Sequence, residues 1–144
     1  MITKKIFLPG NSLKDAFKVR IEVFVEEQGF SPELEVDSFD PLAYHTVFYE
    51  SNEPVATGRV FPDTDKPGVY YIGRIAVLKR LRGAGLGRVL MDTLEKIAVE
   101  NTANVIRLGA QCRAEGFYNA CGYTTYGDIY DEEGCPHIHM EKVL

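Results

Sequence analysis

The hexapeptide Arg82-Gly83-Ala84-Gly85-Leu86-Gly87 constrains this chain more than any other stretch. An apolar run, Tyr70 to Val77, precedes it. From Leu86 the apolar residues fall at Leu86, Val89, Leu90, Leu94, Ile97 and Ala98, while Arg88, Asp92, Glu95, Lys96 and Glu100 take the opposite face. That pattern predicts a strand, a glycine loop and an amphipathic helix of about four turns. Glycines at alternate positions let several backbone N–H groups converge on one anion, and the positive end of the helix dipole points at the same place. The stretch therefore reads as an anion cradle.

Spacing removes two common phosphate loops. A nucleotide-binding loop of the Walker type needs four residues between its glycines and then Lys followed by Ser or Thr, whereas Gly83 leads to Gly87, Arg88 and Val89. A dinucleotide fingerprint begun at Gly83 and Gly85 needs Gly or Ala where Arg88 stands, and the chain lacks the paired βαβ halves of that fold. A third pattern fits: Arg82-x-x-Gly85-x-Gly87, entered from a strand and leaving into a helix. It resembles the pyrophosphate-binding signature of the GNAT superfamily of acyl-CoA-dependent N-acetyltransferases. Downstream, Ala114 to Tyr123 reads A-x-x-F-Y-x-x-x-G-[FY], the superfamily's short helix closed by a glycine turn at Gly122. The run Arg20, Val23, Phe24, Val25, Glu27, Gln28, then Glu35, Asp37, Asp40 and His45, resembles a subgroup of small bacterial members whose substrates are usually unassigned.

The bulk properties agree with an ordinary folded domain. The chain has 144 residues, 45% hydrophobic and 26% charged, enough for one sizeable core. Its apolar runs are far shorter than a membrane span and the N-terminal stretch has no secretory pattern, so a cytoplasmic protein with no membrane partner is expected. A net charge of −5 argues against a general nucleic-acid binder. Cys112, Cys121 and Cys135 form no disulfide framework and read as reduced packing residues. Charge is segregated along the chain. Between Ile21 and Gly58 there is no Lys or Arg but a series of carboxylates, whereas Lys66 to Met91 carries only cations. The basic block suits a phosphorylated cofactor. The acidic one suits a cationic amine or is simply a solvated face.

Along the chain, Ile2 to Leu8 reads as a strand, and a helix capped by Ser12 with Asp15 runs to about Glu26. Gln28 to Ala43 reads as a loop or short helix. Tyr44 to Glu50 and Val55 to Phe61 read as a hairpin joined by Ser51-Asn52-Glu53-Pro54, and Val69 to Val77 as the strand before the cradle. Val105 to Ala110 is a further strand, and Gly127 to Leu144 forms two strands about the turn Asp131 to Gly134. Edge strands there offer a pairing surface for a homodimer.

The resemblance implies one α/β domain over residues 1–144: a mixed, mostly antiparallel twisted sheet of roughly six to seven strands, flanked by about four helices. It also implies an enzyme moving an acetyl group from acetyl-CoA to a primary amine of a small molecule, without a metal. Arg82, Gly83, Ala84, Gly85, Leu86, Gly87 and Arg88 would hold the pyrophosphate, and the backbone of Ile75, Ala76 and Val77, splayed from its neighbour, would hold pantetheine. Tyr118 sits where the superfamily often has the acid that protonates the CoA thiolate. The catalytic set is Tyr118, His137 and Glu27, with the base left open among His45, His137, Glu26, Glu27, Glu35, Asp37 and water. The acceptor side is assigned to Arg20, Glu26, His45 and Arg74. A polyamine, amino sugar or lysine-like amine would suit the carboxylates, and an acceptor bearing phosphate or carboxylate would suit Arg59 and Arg74. His137, His139 and Cys135 share a strand face without the further ligand pairs of a metal site. The rival reading is a CoA-binding sensor or partner-binding module without turnover.

Overall fold

A computed structural model describes residues 1–144, except for the side chain of Leu34. The strands are β1 (Ile2–Phe7), β2 (Tyr44–Glu50), β3 (Glu53–Pro62), β4 (Val69–Val77), β5 (Val105–Gln111), β6 (Thr124–Glu132) and β7 (Cys135–Val143). They form a single sheet in the order β1-β2-β3-β4-β5-β7-β6. Every neighbouring pair is antiparallel except β4 and β5. The helices are α1 (Lys14–Arg20), α2 (Pro32–Glu35), α3 (Leu86–Glu100) and α4 (Glu115–Ala120). The α/β architecture read from the sequence is the one observed.

The β2–β3 hairpin turns at Ser51 and Asn52, both with positive φ (50° and 66°), the backbone that matches strand twist in a two-residue turn. The Ser12–Asp15 capping box does not form. Leu13 occupies the N-cap position, and the Asp15 carboxylate instead accepts the Tyr49 hydroxyl at 2.7 Å, fastening α1 to β2. After Arg20 the helix widens into a π-helical segment, Ile21–Glu27, in which Gln28 N–H reaches back to the Val23 carbonyl. This carries Phe24, Glu27 and Gln28 to the open ends of β4 and β5.

The crossover helix α3 spans the predicted four turns, but its buried face is rotated slightly from the expected one. Leu90, Met91, Leu94, Ile97 and Ala98 are buried, whereas Val89 is exposed. Met91, Leu94, Ile97 and Ala98 pack on Val60, Ile72, Ile106, Leu108 and Met140 of the sheet, and Leu90 joins a second cluster. That cluster joins Val19 and Val23 of the first helix to Phe48, Val55 and Ala76. Ile75 touches both clusters.

One irregularity shapes the sheet. In the β3–β4 ladder Thr57 faces Ala76 and Arg59 faces Gly73, so Gly58 alone opposes both Arg74 and Ile75. Arg74 takes up the extra length at φ 53°, a left-handed backbone that costs a non-glycine residue roughly 1–2 kcal/mol. A Cβ on Gly58 would lie 2.6 Å from Ile75 Cδ1 and 2.8 Å from Leu94 Cδ1, so glycine is what lets the bulge close. Bulges bend the strand that carries them. Accordingly β4 pairs with β5 only through Val69, Tyr70 and Tyr71, then leaves it.

Three members of the acidic block, Glu35, Asp37 and Asp40, are neutralised inside the fold, whereas Glu22, Glu26, Glu33 and Glu53 face solvent. Arg20 reaches Glu35 at 2.7 Å and Asp40 at 2.8 Å, and Arg59 reaches Asp37 at 2.7 Å and Asp40 at 2.8 Å. Arg74 lies 3.4 Å from Glu35 and 3.3 Å from Asp37. Burying such charges is tolerable only because each is paired and hydrogen-bonded. The network pins the 35–40 segment across β3 and β4 and holds Arg74 in its strained backbone.

Candidate active site

The divergence of β4 from β5 opens a cleft of about 780 Å³. Its floor and walls come from Ile72 to Ile75 and Val77 of β4, Leu108, Gly109 and Gln111 of β5, the 81–88 loop, α4, and the tip of the β6–β7 hairpin. Past Tyr71, the edge of β4 facing β5 has no ladder partner there, so its N–H and C=O groups are available to an amide-rich ligand.

At one end lies the cradle. Gly83 and Gly85 have φ of 87° and 82°, with open space where a Cβ would stand. Gly85 is the N-cap of α3 and no side chain caps it among the described residues, so the first-turn N–H groups face the cleft as orphan donors. A phosphate fits this arrangement: donors, helix dipole and absence of side chains coincide. Gly83, Gly85, Leu86, Gly87 and Arg88 all line the cleft, as do Ile75 and Val77. Ala76 points the other way into the core, and only its backbone can serve. Ala84 is exposed outside the lining.

Arg82 lines the cleft too but is held by protein. Its guanidinium makes two bonds of 2.6 Å to the Glu27 carboxylate, and its Nε donates to the Val77 carbonyl at 2.9 Å. Glu27 thus spends both oxygens on Arg82, whose hydrogen bonds hold its carboxyl below the ordinary carboxylate range. A carboxylate so paired is a poor proton acceptor. Glu27 is outside the cleft lining and serves here as the partner of Arg82 rather than as a base. Arg88 donates to the Ala120 carbonyl at 3.0 Å, joining α3 to the end of α4.

Tyr118 projects from α4 into the cleft. The helix ends in a Schellman turn, with Tyr123 N–H bonded to the Tyr118 carbonyl and Gly122 N–H to the Asn119 carbonyl, Gly122 at φ 97°. Phe117 and Tyr123 meet the Tyr118 ring edge-on at 5.0 and 6.2 Å. Burial, with a smaller contribution from Cys121, pushes its phenol well above the ordinary range, so it is protonated at neutral pH. The hydroxyl has no hydrogen-bond partner among the described residues and is available to a ligand.

The rest of the lining comes from Phe24, Gln28, Phe30, Glu35, Arg74, Glu132, Glu133 and His137. Gln28 and Gln111 are joined by a 2.9 Å side-chain bond, and Glu133 accepts the Ser31 N–H at 3.0 Å. Of the acceptor residues expected from sequence, only Arg74 reaches this space. Arg20 is buried in the ion network. His45 is buried with Nε2 donating to the Asp40 carbonyl at 3.1 Å, and burial keeps its ring neutral. Glu26 lies outside the lining. Sequence reasoning missed Gln28, Phe30, Gln111, Glu132 and Glu133. The turn Asp131 to Gly134 was recognisable, but nothing local shows that it folds against the loop at Ser31.

Similarity to other proteins agrees with this geometry. A family model described as an acetyltransferase (GNAT) domain matches residues 13–144. An uncharacterized N-acetyltransferase of Bacillus subtilis, YjcF, is 40% identical over 131 residues, spanning 90% of this chain and 91% of its own. Escherichia coli ElaA is 33% identical over 138 residues, 94% of this chain and 90% of its own, and its crystal structure superposes with a TM-score of 0.88 over 99% of both chains. The crystal structure of an acyl-CoA N-acyltransferase from Pseudomonas aeruginosa matches at 25% identity and a TM-score of 0.88, over 99% of this chain and 100% of that one. With its split parallel strand pair, glycine cradle and tyrosine-bearing short helix, the chain belongs to the GNAT family of acetyltransferases.

Proposed function

We propose that this acetyltransferase uses acetyl-CoA as cosubstrate and a primary amine of a small molecule as acceptor, by direct attack. The observation that carries this reading is the early end of the β4–β5 ladder at Tyr71, beside a helix N-terminus stripped of side chains at Gly83 and Gly85. The cosubstrate supplies an acyl thioester; the chain supplies everything that positions it. The 83–88 backbone binds pyrophosphate, with Arg82 and Arg88 at its rim adding charge. The free edge of β4 pairs with the pantetheine amides, and an N–H from the Ile75–Val77 backbone stabilises the oxyanion. Tyr118 donates its phenolic proton to the departing thiolate. Burial keeps that proton on the phenol at neutral pH, where it stands ready for the sulfur that departs beside it.

The test is Tyr118→Phe, assayed by thiol release. We expect turnover to fall by about a hundredfold with acetyl-CoA affinity changed less than about twofold, because only the acid is removed. Unchanged turnover removes Tyr118 from this role. Stabilisation by acetyl-CoA without thiol release from any amine would make the protein a sensor instead.

A further inference from the structure

The wall contributed by the β6–β7 hairpin contains a histidine whose tautomer is fixed. His137 is 5% exposed and faces the cleft. Its Nδ1 lies 2.8 Å from the Cys135 carbonyl oxygen, which can only accept, so Nδ1 carries the hydrogen. In the neutral ring Nε2 is then a bare lone pair. That lone pair stands 3.2 Å from Glu132 Oε2, which also only accepts. Two acceptors face each other with room for one proton between them. The other groups near the ring are Tyr130 on β6, at 5.6 Å between centroids, and Gln111, its register partner on β5, whose amide is engaged with Gln28. Glu132 is the carboxylate that controls the slot, and at 57% side-chain exposure it also connects the slot to solvent. Gln111 is the last residue of β5, past the three residues through which β5 pairs with β4, so the slot opens into the cleft where the two strands have parted.

We propose that the acceptor enters as an ammonium ion that meets Glu132 and His137 from the cleft side, and that the acceptors are therefore aliphatic amines that are cationic at neutral pH. This rests on the acyl-transfer reading above. The ammonium donates to Glu132 Oε2 and His137 Nε2. One N–H bond breaks, its proton forms an N–H bond at Nε2, and the imidazolium is held by the Glu132 charge. The freed lone pair forms the N–C bond to the thioester carbonyl. Collapse of the adduct breaks C–S, and sulfur takes the Tyr118 proton. The adduct's surplus N–H proton returns through solvent to the phenolate, and the His137 proton leaves past Glu132, so each turnover releases one proton.

The test compares 1,4-diaminobutane, cationic at pH 7.5, with 4-methoxyaniline, already neutral there. With the diamine, His137→Gln should lower kcat/KM by about a hundredfold or more, and Glu132→Gln should raise the amine KM by about tenfold, with acetyl-CoA affinity unchanged in both. With the arylamine, which has no proton to surrender before attack, both losses should stay below about threefold. Equal losses for the two amines overturn the proposal. A readout independent of turnover is imidazole nitrogen NMR of the wild-type protein. We expect a hydrogen on Nδ1 of His137 and a shift of its Nε2 signal on adding 1,4-diaminobutane, absent in Glu132→Gln. A hydrogen on Nε2, or no response to the diamine, overturns the proposal. A normal response with no thiol release from wild type would instead overturn the acyl-transfer reading.

Discussion

Asp40 shows how much one buried carboxylate can carry. Burial alone would raise its pKa, but the hydrogen bonds and charge of Arg20, with the charge of Arg59, outweigh that and hold it at about 2 against an ordinary 3.8. The folded value lies below the unfolded one, so this stabilisation is complete above about pH 4 and is lost as pH falls towards about 2, amounting to roughly 2 kcal/mol. Asp40→Asn should flatten that part of the acid-stability curve. It should also cost about 3–5 kcal/mol at neutral pH, since Arg20 and Arg59 keep buried charge with fewer partners. Urea melts at neutral pH and at about pH 3 give both numbers, and an unchanged pH slope would show that other carboxylates carry it. None of this pairing was legible beforehand. The residues were read as an acidic block or acceptor contacts because sequence shows charge but not the partner, and Arg20 finds Asp40 only once the chain has folded back. Arg74 is a similar case: nothing in a β-rich run announces a left-handed arginine, although Gly58 opposite was a local trace of it.

At the scale of elements, the cradle was the most legible part, because glycine spacing, strand and helix are all local signals. The same holds for the closing turn of α4 at Gly122 and for the existence of the β2–β3 hairpin, although its turn is tighter than the four-residue link expected. What locality could not reveal is that the end of the first helix docks on the cradle through Glu27 and Arg82. That pair is exposed and worth no more than about 1 kcal/mol, yet it competes with any phosphate for the same guanidinium. Glu27→Gln should therefore tighten acetyl-CoA binding, by at most about fivefold, and leave turnover at saturation unaltered. Titration calorimetry and saturating kinetics check this. A weaker affinity would mean that Glu27 orients Arg82 for the ligand rather than withholding it.

For the whole molecule, the sheet is one ligand short of continuous between β4 and β5, so ligand and fold are thermodynamically linked. Acetyl-CoA at about a hundred times its dissociation constant should stabilise the native state by roughly 2.7 kcal/mol, a rise in Tm of roughly 5–10 °C for a chain of this size. NAD and ATP should produce none. A thermal melt with each ligand decides this, and no response to acetyl-CoA would remove the binding reading altogether. No helix among the described residues is long and apolar enough to cross a membrane.

The outermost strand β6 is exposed along almost its whole length, pairs with β7 alone, and loses register between Tyr126 and Tyr130. Its far end is anchored to the body by Glu133 on Ser31. The Glu132 side of the histidine slot therefore hangs on an edge strand with few partners, the kind of element that opens readily on warming, while His137 sits on the inner strand β7. Heat would disarm such a catalyst while its interior was still intact, and anything that clips that edge strand in place, a second subunit included, would extend its working range without touching a reacting atom.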